Sequence, residues 1–314
     1  MNKNSIEKIT IIGTGMIGVS MAVLFTGHGY QTTVLSRSQK SSDRALRDYK
    51  QYFSDLVDAR LINADQSKRC TDYLHITEND QDISDSDFII ESVYENLEVK
   101  REVFRRIESI CRSEIVIASM TSGMSPDLLV TELIHKSRLL VAHPFMPPHL
   151  VPCVEVVKSA FTSEDAVSSA IDLFSSVGRE VIVLKKGIEG FIANRLQHAM
   201  IREAIYLIEK EIATAEDIDR TLITSFGPRY SSIGIFEHIE NTGLDLFAHI
   251  QEYLLPTLCN DSKPQKALME QVHAGNFGSK TGKGFLDWSK KDLNDLRRRR
   301  SEPYFKYFNW KLPQ

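Results

Sequence analysis

The sequence predicts a doubly wound α/β sheet followed by an all-helical C-terminal domain, and three observations carry that prediction. Short β-branched runs alternate with helix-length stretches through the first half of the chain. Several of those runs, such as "DFIIES" and "RLLVAH", are near-continuously apolar, as strands buried on both faces are. After Lys185 the strand signal stops and only the period of an amphipathic helix remains.

Strands are expected over residues 8–13, 32–36, 73–77, 87–92, 114–119, 138–143, 153–157 and 180–184. Helix-length segments at Ile17–Gly29, Asn96–Cys111 and Ser163–Val177 lie between them. Residues 40–68 are charged and helical over a long span, with Leu46, Tyr49, Phe53, Leu56 and Leu61 on one face. That stretch reads as a helical arm beside the sheet. "GFIANRLQHAMIREAIYLIEKEIA" is one long helix pattern, and a second opens at Thr214 with acids in its first turn. Two more follow through "GLDLFAHIQEYLLPTL" and "PQKALMEQVHAG". The boundary is placed near Gly187, which divides the chain into a sheet domain (1–187), a helical domain (188–288) and a basic, then aromatic, tail (289–314). Arg297–Arg300 in that tail read as a solvated face or a contact with a partner subunit.

Composition narrows the class. A chain of 314 residues with 42% hydrophobic and 25% charged residues suits a globular protein of two domains. Its formal net charge of −4 offers no electrostatic reason to bind nucleic acid or an anionic membrane. No apolar run approaches bilayer length, and the N-terminal stretch reads as a strand rather than a leader. Cys70, Cys111, Cys153 and Cys259 are scattered, without metal-ligand spacing, as suits a reducing cytoplasm.

"GTGMIG", residues 13–18, follows a strand and opens a helix. In a dinucleotide-binding loop Gly13 permits the tight turn, Gly15 lets the backbone approach a pyrophosphate, and Gly18 allows close helix packing. The amides that open the next helix, at Met16, Ile17 and Gly18, then favour the anion. At the tip of the second strand that fold places an acid, which accepts hydrogen bonds from ribose hydroxyls and repels a 2′-phosphate. Here Ser36, Arg37 and Ser38 stand instead. Removing the acid and adding the base act in the same direction, so NADP(H) is favoured over NAD(H).

Further candidates sit at strand ends. His143 closes one strand and Glu155 lies within the next. A carboxylate held against one imidazole nitrogen makes the other a general base; the alternative is a core histidine bonded to a backbone carbonyl, with Glu155 facing solvent. Ser122 either hydrogen-bonds a reacting oxygen or caps a helix. Asn194 either orients a substrate carbonyl or ties two domains together. "ESVYENLEVK" contributes Glu91, Glu95 and Lys100.

Taken in order, "GTGMIG", "ESVYENLEVK", "MTSGMS", "HPFMPPHLVPCVE", "GFIANR" and "GSKTGKGF" resemble the L-3-hydroxyacyl-CoA dehydrogenase family over nearly the whole chain. The resemblance implies a Rossmann-type domain, a helical domain that forms homodimers, and a catalytic base at His143 with Glu155 as its partner. It also implies Ser122 and Asn194 on the substrate's oxygens, and Glu95 and Lys100 beside the nicotinamide ribose and ring. "HPFMPPHLVP" and "FGPRYSSIGIFE" are closer to the lambda-crystallin, L-gulonate and carnitine 3-dehydrogenase branch. That favours a small free 3-hydroxy acid over a CoA thioester such as 3-hydroxybutyryl-CoA. Arg229 is the candidate clamp for its carboxylate, unless it pairs with Glu237 or forms a dimer contact. Lambda-crystallin shows that the scaffold also serves as a structural protein, yet the full set of His143, Glu155, Ser122 and Asn194 speaks for an enzyme. One position departs from the family: Met146 stands where an Asn is usual, three residues after the histidine.

Overall fold

Among residues 6–313, which the computed structural model describes, eight strands form one sheet. Residues 1–5, where the reading of the N-terminal stretch begins, lie outside that range, as does Gln314. The strands are β1 (Lys8–Ile12), β2 (Gln31–Leu35), β3 (Leu74–Thr77), β4 (Phe88–Glu91), β5 (Val116–Ser119), β6 (Leu139–Pro144), β7 (Cys153–Lys158) and β8 (Glu180–Val183). Their spatial order is β3-β2-β1-β4-β5-β6-β7-β8, so the winding direction reverses between β1 and β4. Such a switch point leaves a crevice at the strand C-termini, where ligands of open α/β sheets bind.

The same unit contains α1 (Met16–Thr26), α2 (Gln39–Asp58), α3 (Ala64–Thr71), α4 (Leu97–Ile110), α5 (Pro126–Leu129) and α6 (Glu164–Ser176). Side chains alternate across the strands and feed a core on each face. Phe88 and Ile90 join α1, α2 and α6 on one side, and Ile89 joins Phe104 and Ile107 of α4 on the other. Residues 40–68, read as one arm, fold instead as two helices packed into the first core. The chain turns through Arg60, at φ 58°, and restarts at an Asn63–Gln66 capping box. Tyr49, Phe53 and Leu56 are buried as the pattern predicted, whereas Ala45 rather than Leu46 completes the buried face. Residues from Arg297 onward also group with this unit, where Trp310, Phe308 and Leu312 join the first core. Trp310 lies so close over Gly27 that a Cβ there would stand 2.3 Å from its ring. Arg297–Arg300 themselves are exposed.

The other strand pairs are parallel, but β6 and β7 run antiparallel. The link from Pro144 to Cys153 is too short for a parallel crossover, which needs about a dozen residues. That link is pinned from two sides. Buried Arg179 donates through Nη1 to the carbonyls of Pro148 and Val151, each at 3.2 Å. His149 is buried against α1, where its backbone N–H donates to Ser20 Oγ at 3.0 Å and its Nδ1 lies 2.7 Å from the same oxygen. Since Oγ accepts from the backbone, its own proton can go to Nδ1, which requires a neutral ring.

Burial, with the Arg179 cation nearby, pushes the His149 pKa down to about 3. A folded pKa below the unfolded value of 6.5 gives stability that is complete at higher pH and is lost as pH falls below 6.5, because only the unfolded chain takes the proton. The His149 contribution should therefore shrink by about 1.4 kcal/mol between pH 7.5 and pH 5.5. Urea unfolding at the two pH values measures it, and His149→Gln should remove that part of the difference. An undiminished difference in the variant would refute the assignment.

The second unit, Ala193–Leu296, contains α7 (Ala193–Glu209), α8 (Ala215–Thr224), α9 (Ile235–Thr242), α10 (Leu244–Leu254) and α11 (Lys266–His273). A further helix, α12 (Leu293–Ser301), begins at its end. Thr214 caps α8 by accepting from the Asp217 N–H at 3.1 Å, as the sequence predicted. Helix α9 escaped the sequence reading: it has eight residues between Gly234 and Gly243, too few to establish a period. The helices leave much apolar surface uncovered. Leu196 and Met200 of α7 are 54% and 42% exposed, and Leu207 and Ile208 are half-buried.

Candidate active site

The crevice at the switch point is a cleft of about 660 Å³, lined by the glycine loop, the tip of β2 and the start of α4. The three loop glycines meet different constraints. A Cβ at Gly13, where φ is 120°, would stand 2.6 Å from the Ser92 carbonyl oxygen, and one at Gly18 would stand 2.2 Å from that of Gly13. Both are therefore required by packing. A Cβ at Gly15 would meet nothing within 4 Å, so this glycine keeps open space beside the start of α1. Gly15 is also the N-cap and offers no side-chain oxygen to the first amides of the helix, which Met16, Ile17 and Gly18 carry. Open space, uncapped amides and a helix dipole fit the pyrophosphate of a dinucleotide.

At the tip of β2 the hydroxyls are already engaged. Buried Ser36 donates through Oγ to the Ser38 carbonyl at 3.1 Å, and Ser38 Oγ caps α2 by accepting from the Ser41 N–H. Arg37 lines the cleft, and so does Arg44 of α2, which sequence reading missed. Its position one turn after Lys40 on the same helix face was the available signal.

Deeper in the unit, the C-terminal ends of β4 and β5 meet the first turns of α4 in a charged network. Lys100 Nζ donates to both oxygens of Glu91, at 2.8 and 3.1 Å, and neither side chain exposes any surface. Glu91 also accepts from Ser119 Oγ at 2.6 Å and from the Val93 N–H at 2.8 Å. Lys100 reaches on to Glu95, 3.2 Å away, whose other oxygen accepts from Thr121 Oγ1 at 2.5 Å and the Ser122 N–H at 3.1 Å. Lys100 is thus buried behind Glu95, while Glu95 and Ser122 are exposed. Ser119 and Thr121 complete this network beside Glu91, and in sequence those two looked like ordinary strand-end residues.

The antiparallel step sets His143 directly opposite Glu155. His143 Nδ1 lies 2.9 Å from Glu155 Oε2, and both residues are buried. The second carboxylate oxygen accepts from the Ile192 N–H at 2.8 Å. Phe145 and Phe191 pack on the imidazole, with ring centroids 5.2 and 5.4 Å away. An anionic carboxylate only accepts, so in the neutral ring Nδ1 is the N–H and Nε2 carries the lone pair. Met146, the departure from the family pattern, is half-buried in the next loop.

In the second unit, Asn194 is the second residue of α7 and half-buried. Arg229 pairs with His238 rather than Glu237: its Nη1 donates to His238 Nε2 at 2.7 Å, while Tyr230 Oη lies 3.2 Å from Nδ1 of the same ring.

Two family descriptions match the chain, "3-hydroxyacyl-CoA dehydrogenase, NAD binding domain" over residues 8–187 and "3-hydroxyacyl-CoA dehydrogenase, C-terminal domain" over residues 190–288. L-carnitine dehydrogenase of Bacillus cereus is 33% identical over 75% of this chain and 72% of its own length. A 5-formyl-3-hydroxy-2-methylpyridine 4-carboxylate 5-dehydrogenase of Mesorhizobium japonicum is 29% identical over 94% of this chain and 95% of its own. A solved structure of an enzyme of that activity, described as an NAD+-dependent dismutase, matches with a TM-score of 0.87 at 27% identity, covering 96% of this chain and 97% of its own. With both of its domains matched in order, the chain belongs to the 3-hydroxyacyl-CoA dehydrogenase family, nicotinamide-dependent oxidoreductases that act on CH–OH groups.

Proposed function

We propose that this enzyme interconverts a small free 3-hydroxy acid and its 3-oxo form, with His143 as general acid–base and with NADP(H) preferred. The observation that carries the reading is the His143–Glu155 pair: a proton held on Nδ1 leaves Nε2 free to accept another. In the oxidation, Nε2 takes the hydroxyl proton of the substrate, and Glu155 stabilises the imidazolium that results. Nicotinamide, when bound, accepts the carbinol hydrogen as hydride. In the reverse direction protonated His143 returns the proton to the oxygen. Ser122 holds the reacting oxygen through its hydroxyl, and the Lys100–Glu95 pair fixes the backbone from which Ser122 projects. Glu95 would hold the nicotinamide ribose, and Gly13, Gly15 and the first amides of α1 would hold the pyrophosphate.

The free-acid reading is supported by two of the relatives, which are named for L-carnitine and a pyridine carboxylate, whereas the family itself is named for CoA thioesters. Arg229 and Asn194 are the second unit's candidates for binding the acid. Arg229 uses one N–H on His238 and keeps others for a carboxylate. NADP(H) is favoured because no acid stands at the tip of β2, while Arg37 lines the cleft there.

Steady-state kinetics tests the whole reading. A panel of free 3-hydroxy acids and CoA thioesters, each with NADP+ and NAD+, should give the highest kcat/KM for a free acid with NADP+. Arg229→Met should raise KM for that acid about tenfold or more, the loss expected for a charge-assisted hydrogen bond. The double variant Ser36→Asp, Arg37→Ile should lose the cofactor preference. Turnover of thioesters alone would overturn the substrate reading, and tenfold better efficiency with NAD+ the cofactor reading.

A further inference from the structure

We propose that Arg44 is a second determinant of cofactor specificity, closing with Arg37 on a phosphate monoester at the 2′ position of the adenosine ribose. The inference rests on the NADP(H) reading and names a residue that reading does not require.

Three arginines line the cleft: Arg37 after β2, Arg44 on α2 and Arg106 on α4. Arg106 is already neutralised by an ion pair with Asp80. Neither Arg37 nor Arg44 has a carboxylate partner among the described residues, and the cleft's own acid, Glu102, pairs with neither of them. Two unpaired guanidinium groups on one cleft repel each other until an anion joins them. Arg44 makes one weak contact, from Nη2 to the Thr14 carbonyl oxygen at 3.4 Å. That contact ties the side chain to the glycine loop and leaves most of its five N–H donors for a ligand. Thr14 stands between Gly13 and Gly15, so the tether holds Arg44 beside the loop that serves the pyrophosphate. Arg37 precedes the N-cap of α2 and Arg44 lies in its second turn, and the N-terminal dipole of this 20-residue helix adds to their field. Ser36 and Ser38, by contrast, spend their hydroxyls on local backbone and cap bonds. The charge for a dianionic phosphate therefore comes from the two arginines, whose planar forks suit its oxygens.

The test is equilibrium binding to the full-length chain, by calorimetry with 2′,5′-ADP and 5′-AMP, which differ only in the 2′-phosphate. Wild type should bind 2′,5′-ADP at least tenfold more tightly than 5′-AMP. Arg44→Met should weaken 2′,5′-ADP by about ten- to hundredfold, the range for a charge-assisted hydrogen bond, and change 5′-AMP less than twofold. Arg44→Lys should recover part of the loss, since one ammonium replaces one fork. Thermal melting of each variant should stay close to wild type. If Arg44→Met keeps the preference while Arg37→Met loses it, Arg44 is not a determinant. If Arg44→Met weakens both nucleotides equally, its role is only to hold the Thr14 loop, and the proposal is overturned. Wild type that binds the two nucleotides equally would instead remove the NADP(H) reading itself.

Discussion

Replacing His143 by glutamine is expected to lower kcat by about 10²–10⁴, the usual cost of losing a positioned base, while cofactor affinity stays near wild type. The β6–β7 pairing is made by backbone hydrogen bonds over five residue pairs, so it survives the substitution. What glutamine lacks is a basic lone pair where Nε2 stood. Glu155→Gln should also lose rate and should move the pH profile of kcat/KM. The amide has one acceptor oxygen for two donors, His143 Nδ1–H and the Ile192 N–H, and no charge to stabilise the imidazolium. Stopped-flow transients with cofactor alone separate binding from turnover. A His143→Gln enzyme that kept most of its kcat would end the proposed mechanism.

Lys100→Met is expected to cost about 3–5 kcal/mol of stability, the range measured when one partner of a buried ion pair is removed. Lys100 and Glu91 expose no surface, and the ammonium bonds both Glu91 oxygens. The variant leaves the Glu91 carboxylate inside the sheet with only Ser119 and the Val93 amide as donors. It also frees Glu95, so the Ser122 backbone loses a fixed acceptor and KM should rise along with the loss in stability. Urea unfolding reads the first effect and steady-state kinetics the second. The double variant Glu91→Leu, Lys100→Met should recover much of the stability, because it buries no charge. It should not recover KM. Equal destabilisation of the single and double variants would show that packing of the lysine stem, rather than its charge, was lost.

How much of this was legible in the sequence depends on how local each constraint is. The glycine loop was readable because its turn needs φ of 120° at Gly13 and no Cβ at Gly18, demands that only glycine meets. The absent acid at Ser36–Ser38 was readable for a similar reason: the end of a strand and the start of a helix place it within a few residues. The helix cap at Thr214 is local as well, whereas the Asn63 cap and the two-helix form of residues 40–68 were not foreseen. Arg44 was missed because a helix face cannot be assigned to a cleft before the helix is packed.

By itself the sequence determined the alternation of strands and helices, the family, and which side chains are candidates for the chemistry. Only the tertiary structure decided which of them meet. His143 and Glu155 are twelve residues apart on successive strands, and from the residues alone a solvent-facing Glu155 was as good an account. The short, Arg179-pinned link turns β7 back along β6, and in that register the two side chains lie 2.9 Å apart on one face. The Glu91–Lys100–Glu95 network arises in the same way, from β4 and β5 ending side by side where α4 begins, at the sheet's C-terminal edge. Strand order and direction depend on burying both faces of the sheet at once, a requirement on the whole chain that no short stretch of residues carries.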